Sequence, residues 1–303
     1  MRRAGARRSA ASLLAAAILA SGALTTVSGV TEPAGAATLR YYLSLGDSVA
    51  QGYQPGYSDG SETLHGYSNL VVNDVAPKYR LRLENFGCGG ATTGSILVTN
   101  GCRPGGLANN GISYPTMPQA AAALAFIHAH HGQIGLITIT IGWNDFGNCV
   151  GMASPSACVT PTLHGIEANL KTFCARLRAA AGASTPIVGM SYTDADIADW
   201  LQGASGVASA KTWISLFRSV VNPTFARAYK PSRVTFLDIT AASGAYVPLS
   251  SLVQLAPYGA VPFAVSQICK LTWMCKISND EMSSQGYALI ASQIAKYYLH
   301  RPT

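Results

Sequence analysis

Apolar positions along the chain follow two periods. Five short runs, Arg40 to Leu45, Arg80 to Phe86, Ile134 to Ile141, Pro186 to Met190 and Arg233 to Ile239, read as strands buried in a parallel sheet. Between and after them, Tyr67 to Val75, Met117 to His131, Thr162 to Ala181, Ser209 to Tyr229 and Ser284 to Leu299 carry apolar residues at three-to-four spacing and predict helices. Strand and helix alternating through a whole chain predict an α/β fold, a five-stranded parallel sheet with helices on both faces. Such sheets bind their ligands beyond the carboxyl ends of the strands. The first run ends at Gly46-Asp47-Ser48-Val49, which sets Ser48 on that rim. No linker, internal repeat or low-complexity segment follows residue 40. Gly94 to Thr116, rich in Gly, Pro and Asn, is a long loop of the kind that shapes a site.

The first 37 residues stand apart from this pattern. Met1 to Arg8 holds four arginines, Ser9 to Leu24 is mostly small and apolar, and Ala34-Gly35-Ala36 offers an Ala-x-Ala cleavage site. We read residues 1–37 as an export signal, cut after Ala36 or Ala37, and 38–303 as one domain. Ser12, Ser21 and Thr25 interrupt the apolar run, so no stable membrane anchor is expected. The paired arginines Arg2-Arg3 and Arg7-Arg8 suit either a general secretory or a twin-arginine route. Without the signal, 17 basic and 13 acidic side chains remain, a net charge of +4. No basic stripe with interleaved aromatics argues for nucleic acid. A secreted monomer is expected.

Seven cysteines in an exported chain predict disulfides with one thiol left over. Spacing pairs Cys88 with Cys102, Cys149 with Cys158, and Cys269 with Cys275, leaving Cys174 in a helical stretch. No Cys-x-x-Cys or His-x-x-x-His pair accompanies them, and neither metal nor cofactor is expected.

Two further strand ends carry chemistry. The second run leads into Gly87-Cys88-Gly89-Gly90-Ala91-Thr92-Thr93, where glycine lets backbone N–H groups approach a ligand. The third ends in Gly142-Trp143-Asn144-Asp145. Glycine N–H groups and an asparagine amide converging on a serine are what an oxyanion hole requires.

In these blocks the chain resembles the GDSL, or SGNH, hydrolases. Gly46-Asp47-Ser48-Val49 looks like the first family block, Gly90 supplies the glycine of the second, and Gly142 to Asp145 matches the Gly-x-Asn-Asp of the third. The cysteine placement, Ile268-Cys269 to Met274-Cys275 and the ending Gly286-Tyr287-Ala288-Leu289-Ile290 look like the secreted actinobacterial esterase and lipase branch. The resemblance covers essentially all of residues 38–303. It implies a flavodoxin-like three-layer α/β/α sandwich, Ser48 as nucleophile, and an oxyanion held by the Ser48 N–H, the Gly90 N–H and the Asn144 side chain. The substrate would be a carboxylic ester, whether small-molecule, lipid or acylated glycan. The Gly-x-Ser-x-Gly elbow of α/β-hydrolases is missing, since Val49 and Ala50 follow Ser48, and Gly189-Met190-Ser191 lacks its second glycine.

The fourth family block departs from the pattern. Members carry Asp-x-x-His about five residues before the Gly-Tyr of the last helix, and that register puts Glu281 at the histidine and Ser278 or Asn279 at the aspartate. No histidine lies between His164 and His300. Three readings compete. Glu281 is itself the base, as in the resemblance to serine-carboxyl peptidases. A free glutamate, with a pKa of about 4.3, would be ionised but weakly basic at pH 7 unless burial raised its pKa, and activity would then tilt acidic. Alternatively His65, in the loop after the first strand, reaches the site, or hydrolysis is lost and the pocket binds acyl or glycan ligands. Other polar residues take structural roles: Asp145 braces its loop, Trp143 walls the pocket and Asn85 satisfies a turn. His128, His130 and His131 end a helix, Tyr41-Tyr42 and Tyr297-Tyr298 pack, and Asp194, Asp196 and Asp199 favour a helix N-terminus.

Overall fold

The computed structural model describes residues 37–301, apart from 56, 58–60, 150–151 and 153–154. The proposed signal, 1–37, lies outside the described residues except for position 37. Five strands form one parallel sheet in the order β2-β1-β3-β4-β5: β1 Leu39–Gly46, β2 Arg80–Asn85, β3 Ile134–Thr140, β4 Ile187–Met190 and β5 Thr235–Leu237. Every residue of β3 is buried, as the continuous apolar run at the sheet's centre requires. At the edge, β5 shrinks to three half-buried residues, shorter than the run from Arg233 to Ile239.

Helix Tyr67–Val75 falls where its period predicts. Its Tyr67 hydroxyl lies 3.3 Å from Ser44 Oγ, 3.2 Å from Thr138 Oγ1 and 3.1 Å from Thr140 Oγ1, fastening the helix to β1 and β3. Two helices exceed their predicted spans. The predicted Thr162–Ala181 helix begins at Pro155 and runs through Pro161. The predicted Ser209–Tyr229 helix consists of Ala204–Leu216, a π turn at Phe217–Val221, and Asn222–Tyr229. Pro223 has no N–H for an α-helical bond, and the widened turn directly precedes it. A second, antiparallel pair, β6 Leu252–Leu255 and β7 Gly259–Pro262, adds a small sheet that the sequence pattern did not predict.

The three expected disulfides are present: Cys88–Cys102, Cys149–Cys158 and Cys269–Cys275. Cys174 is a buried free thiol whose pKa burial pushes up to about 12. No helix among the described residues is long and apolar enough to cross a membrane.

Candidate active site

Sheet order reverses between β1 and β3, and the cleft opens at their carboxyl ends, where such sheets bind ligands. Gly46 closes β1 at φ +135°, and a methyl group there would stand 1.8 Å from the Thr140 carbonyl oxygen. Only glycine lets the chain turn so close to β3. Gln119 clamps this peptide from the side, its Oε1 accepting from Gly46 N at 2.8 Å and its Nε2 donating to Gly46 O at 2.9 Å. Beyond it, Asp47 caps the short helix Ser48–Gln51 by accepting from Val49 N at 3.0 Å. The Tyr192 hydroxyl donates to the other Asp47 oxygen at 2.5 Å. Asp47 is buried, and desolvation raises its pKa to about 7 against the opposing Tyr192 bond.

Ser48, Trp143, Asn144, Tyr192, Asp280 and Glu281 line one cleft. Ser48 and Glu281 stand together in this cleft, where the serine side chain as a donor holds the Glu281 pKa down. The Glu281 Oε2 is shut away from solvent and has no hydrogen-bond partner. Desolvation raises the Glu281 pKa to about 8; the Ser48 side chain opposes the shift, the Asp47 and Asp280 charges add to it, and Arg103 draws it down. Local structure sets this placement. Trp273 N donates to Glu281 O at 2.9 Å, Ser283 N to Leu271 O at 2.9 Å, and Thr272 bridges Met282, so 281–283 is zipped to 271–273 beside the Cys269–Cys275 disulfide. Asn279 stands near the position of the family aspartate, but its Oδ1 accepts from the Glu281 backbone N–H at 2.9 Å. It orients the main chain.

Asn144 follows Gly142, whose φ of +130° brings the third loop back over β3. One Asn144 amide hydrogen goes to Ala91 O at 2.9 Å, tying the third loop to the second. Asp145 ties the same loops by accepting from Thr93 N at 2.8 Å and Thr93 Oγ1 at 2.6 Å, the bracing role expected of it. Trp143 Nε1 donates to Asp280 Oδ2 at 2.6 Å, linking the third loop to the segment that bears Glu281. Gly90 lines a neighbouring cavity with Ala91, Ile96, Arg103 and Tyr114 and is not among the residues lining the first. Among the described residues, neither Ser48 N nor Gly90 N donates to the protein.

His65 is not brought to this cleft. It is exposed and stacks on Tyr57 with ring centroids 4.8 Å apart. His130 packs on Phe126 and Tyr41 at the end of its helix. Asn85 has the structural role expected, donating to Ala50 O and accepting from Gly87 N.

Asp194 and Asp196 do stand at a helix start, but burial is the largest influence on both. Asp194 precedes the 3-10 helix Ala195–Gln202 but makes no cap bond, and both its carboxyl oxygens are buried without partners. Burial, then the charges of Asp196 and Asp199, pushes its pKa well above the carboxylate range, and burial raises Asp196 to about 7. A protonated carboxyl gains nothing from a helix dipole. Asp199 accepts from Gln202 and Ser209. No group of three or more His, Cys, Asp or Glu among the described residues could hold a metal ion.

A doubly wound sheet with a serine, an asparagine and a carboxyl group meeting at its switch point is an arrangement suited to acyl transfer. The model of the GDSL-like lipase/acylhydrolase family matches residues 44–252, more than half of the chain, and the protein belongs to that family. The match includes Ser48, Gly90 and Asn144 and ends before Glu281. No curated protein matches. Similar solved structures include an extracellular lipase of Streptomyces rimosus, at 17% identity and TM-score 0.46 over 84% of this chain and 99% of that one. Phospholipase A1 of Streptomyces albidoflavus gives 16% identity and TM-score 0.44 over 84% and 99%. The lipase Lip_vut3 from a goat rumen metagenome gives 16% and 0.46 over 86% and 98%.

Proposed function

We propose that the protein is an exported carboxylic ester hydrolase in which Ser48 attacks and Glu281 is the general base. One observation carries this reading: Ser48 and the Glu281 carboxyl line one cleft, in which burial raises the Glu281 pKa to about 8. Burial strengthens the base. A carboxylate at the ordinary value of about 4.3 matches a serine proton poorly, and each unit of increase narrows that gap.

Glu281 accepts the Ser48 proton as Oγ bonds to the ester carbonyl carbon, and the carbonyl electron pair moves to its oxygen. The Ser48 and Gly90 N–H groups and the second Asn144 amide hydrogen meet that oxyanion. Collapse expels the alcohol, which takes the proton from Glu281, and water deacylates Ser48 by the same steps. Three disulfides and the signal-like residues 1–37 support export. The substrates we propose are small-molecule, lipid or acylated-glycan esters.

Short-chain p-nitrophenyl ester hydrolysis by wild type, Ser48→Ala and Glu281→Gln tests this. Ser48→Ala abolishes turnover, and Glu281→Gln lowers kcat by about 100- to 10,000-fold, the usual contribution of a general base. Undiminished turnover in Glu281→Gln overturns the glutamate base, and loss in His65→Ala instead transfers the role to His65. Wild type without Ser48-dependent turnover at any pH leaves the binding-protein reading.

A further inference from the structure

A glutamate base changes the charge balance of the reaction. A neutral histidine becomes a cation on taking the serine proton, and that cation forms beside the new oxyanion. Glu281 starts as an anion and becomes neutral, so one negative charge moves from its carboxylate to the ester oxygen and no countercharge forms. Asp47 and Asp280 stand in the same cleft and disfavour further negative charge.

One cation is fixed against the Gly89-Gly90 turn. Arg103 Nε donates to Gly89 O at 2.7 Å. A methyl group on Gly90 would stand 3.4 Å from Arg103 Nε, and one on Gly89 would stand 3.2 Å from Nη2, so the guanidinium lies directly against this turn. The backbone around it is held on both sides. Cys88 and Cys102 are joined, Gly89 N donates to Gly106 O at 2.8 Å, and Gly106 N donates to Arg103 O at 2.9 Å. Arg103 makes no ion pair with the described residues. It is also the cation that draws the Glu281 pKa down.

We propose that Arg103 is a positioning residue of this site: its guanidinium, fixed against the Gly89-Gly90 turn, holds the negative charge as it passes from Glu281 to the ester oxygen. The inference rests on the serine hydrolase reading. Proton, bond and charge balance within that reaction: the Ser48 proton goes to Glu281, the Oγ–C bond forms, the carbonyl pair moves to oxygen, and the total stays at one negative charge. Arg103, set against the Gly89-Gly90 turn, favours the charge more at the ester oxygen than at the Glu281 carboxylate. It also explains what a disulfide does beside an oxyanion turn, namely keep a flexible, exposed cation in register with it.

Arg103→Gln and Arg103→Lys test this with a neutral substrate, p-nitrophenyl butyrate, and with NMR titration of glutamate labelled at the carboxyl carbon. Loss of one signal in Glu281→Gln assigns Glu281. In Arg103→Gln we expect the Glu281 titration and the acid limb of kcat/KM to move together to higher pH. We also expect kcat on the alkaline plateau to fall about ten-fold, as for loss of a partly screened unit charge, with the wild type's dependence on salt reduced. Arg103→Lys, which keeps the charge without the Nε bond, should recover part of both. An active Arg103→Gln variant with an unmoved limb and an unmoved Glu281 signal overturns the inference and leaves the hydrolase reading standing. So does a loss confined to KM for an anionic ester such as p-nitrophenyl hemisuccinate. Wild type lacking Ser48-dependent turnover overturns both.

Discussion

Burial decides the chemistry of the acidic residues around Ser48. Desolvation is the largest influence on Asp47, Asp194, Asp196 and Glu281, and in each it favours the proton. For the proposed base Glu281 this turns the expected tilt from acidic to alkaline, because its carboxylate forms only as pH climbs through about 8. Asp194 shows the same force without a partner. Its pKa in the folded state lies above the unfolded value, so its stabilising contribution is full below about pH 4 and is lost as pH rises through the folded pKa. Asp194→Asn should therefore stand closest to wild type at pH 4 and exceed it by more at pH 9. Urea denaturation at the two pH values measures this, and identical pH slopes would contradict it. Glu281 was legible in the sequence because the register before Gly286-Tyr287 singles it out. Its raised pKa was not, since that depends on neighbours such as Asp47 and on the closing of the cleft around it.

The loop after β2 is an element whose fastening matters more than its length. Gly94 to Thr116 contains the short helix Ser95–Val98 and is tied by Cys88–Cys102, by the Asn100 bridge to Pro118, and by Ile112 N donating to Asn85 O at 2.7 Å. Replacing Cys88 and Cys102 together with serine should cost about 3 kcal/mol of stability for a loop of this size and lower kcat on a neutral ester, because Gly90 and Arg103 lose their common anchor. Chemical denaturation and steady-state kinetics read the two effects separately. Unchanged kcat would show that the loop holds its place without the disulfide. The pairing of Cys88 with Cys102 was readable from spacing, whereas the place of Arg103 against Gly89 was not. Tyr192 and Gln119 gave no such signal. They reach Asp47 and Gly46 across 145 and 73 residues, and no local pattern encodes a contact that far along the chain.

The whole molecule follows from two long central strands. Continuous apolar runs made β1 and β3 plain in the sequence, and the rim between them holds Ser48 and Asn144. What escaped was peripheral. The β6–β7 pair has strands of four residues, too short to establish a period, with Leu252 59% exposed. The π turn before Pro223 keeps one helix running where periodicity alone could not show the break. Fold and family thus put a GDSL-like lipase/acylhydrolase scaffold in place, and the account's central claim is that a buried glutamate, Glu281, activates Ser48. The pH dependence of Ser48-dependent kcat/KM for p-nitrophenyl butyrate, from pH 5 to 10, tests it most directly. We predict a single rise centred near pH 8, where Glu281 loses its proton, with the limb abolished in Glu281→Gln. A rate already at its plateau by about pH 6, near the unperturbed histidine value, and preserved in Glu281→Gln would contradict it.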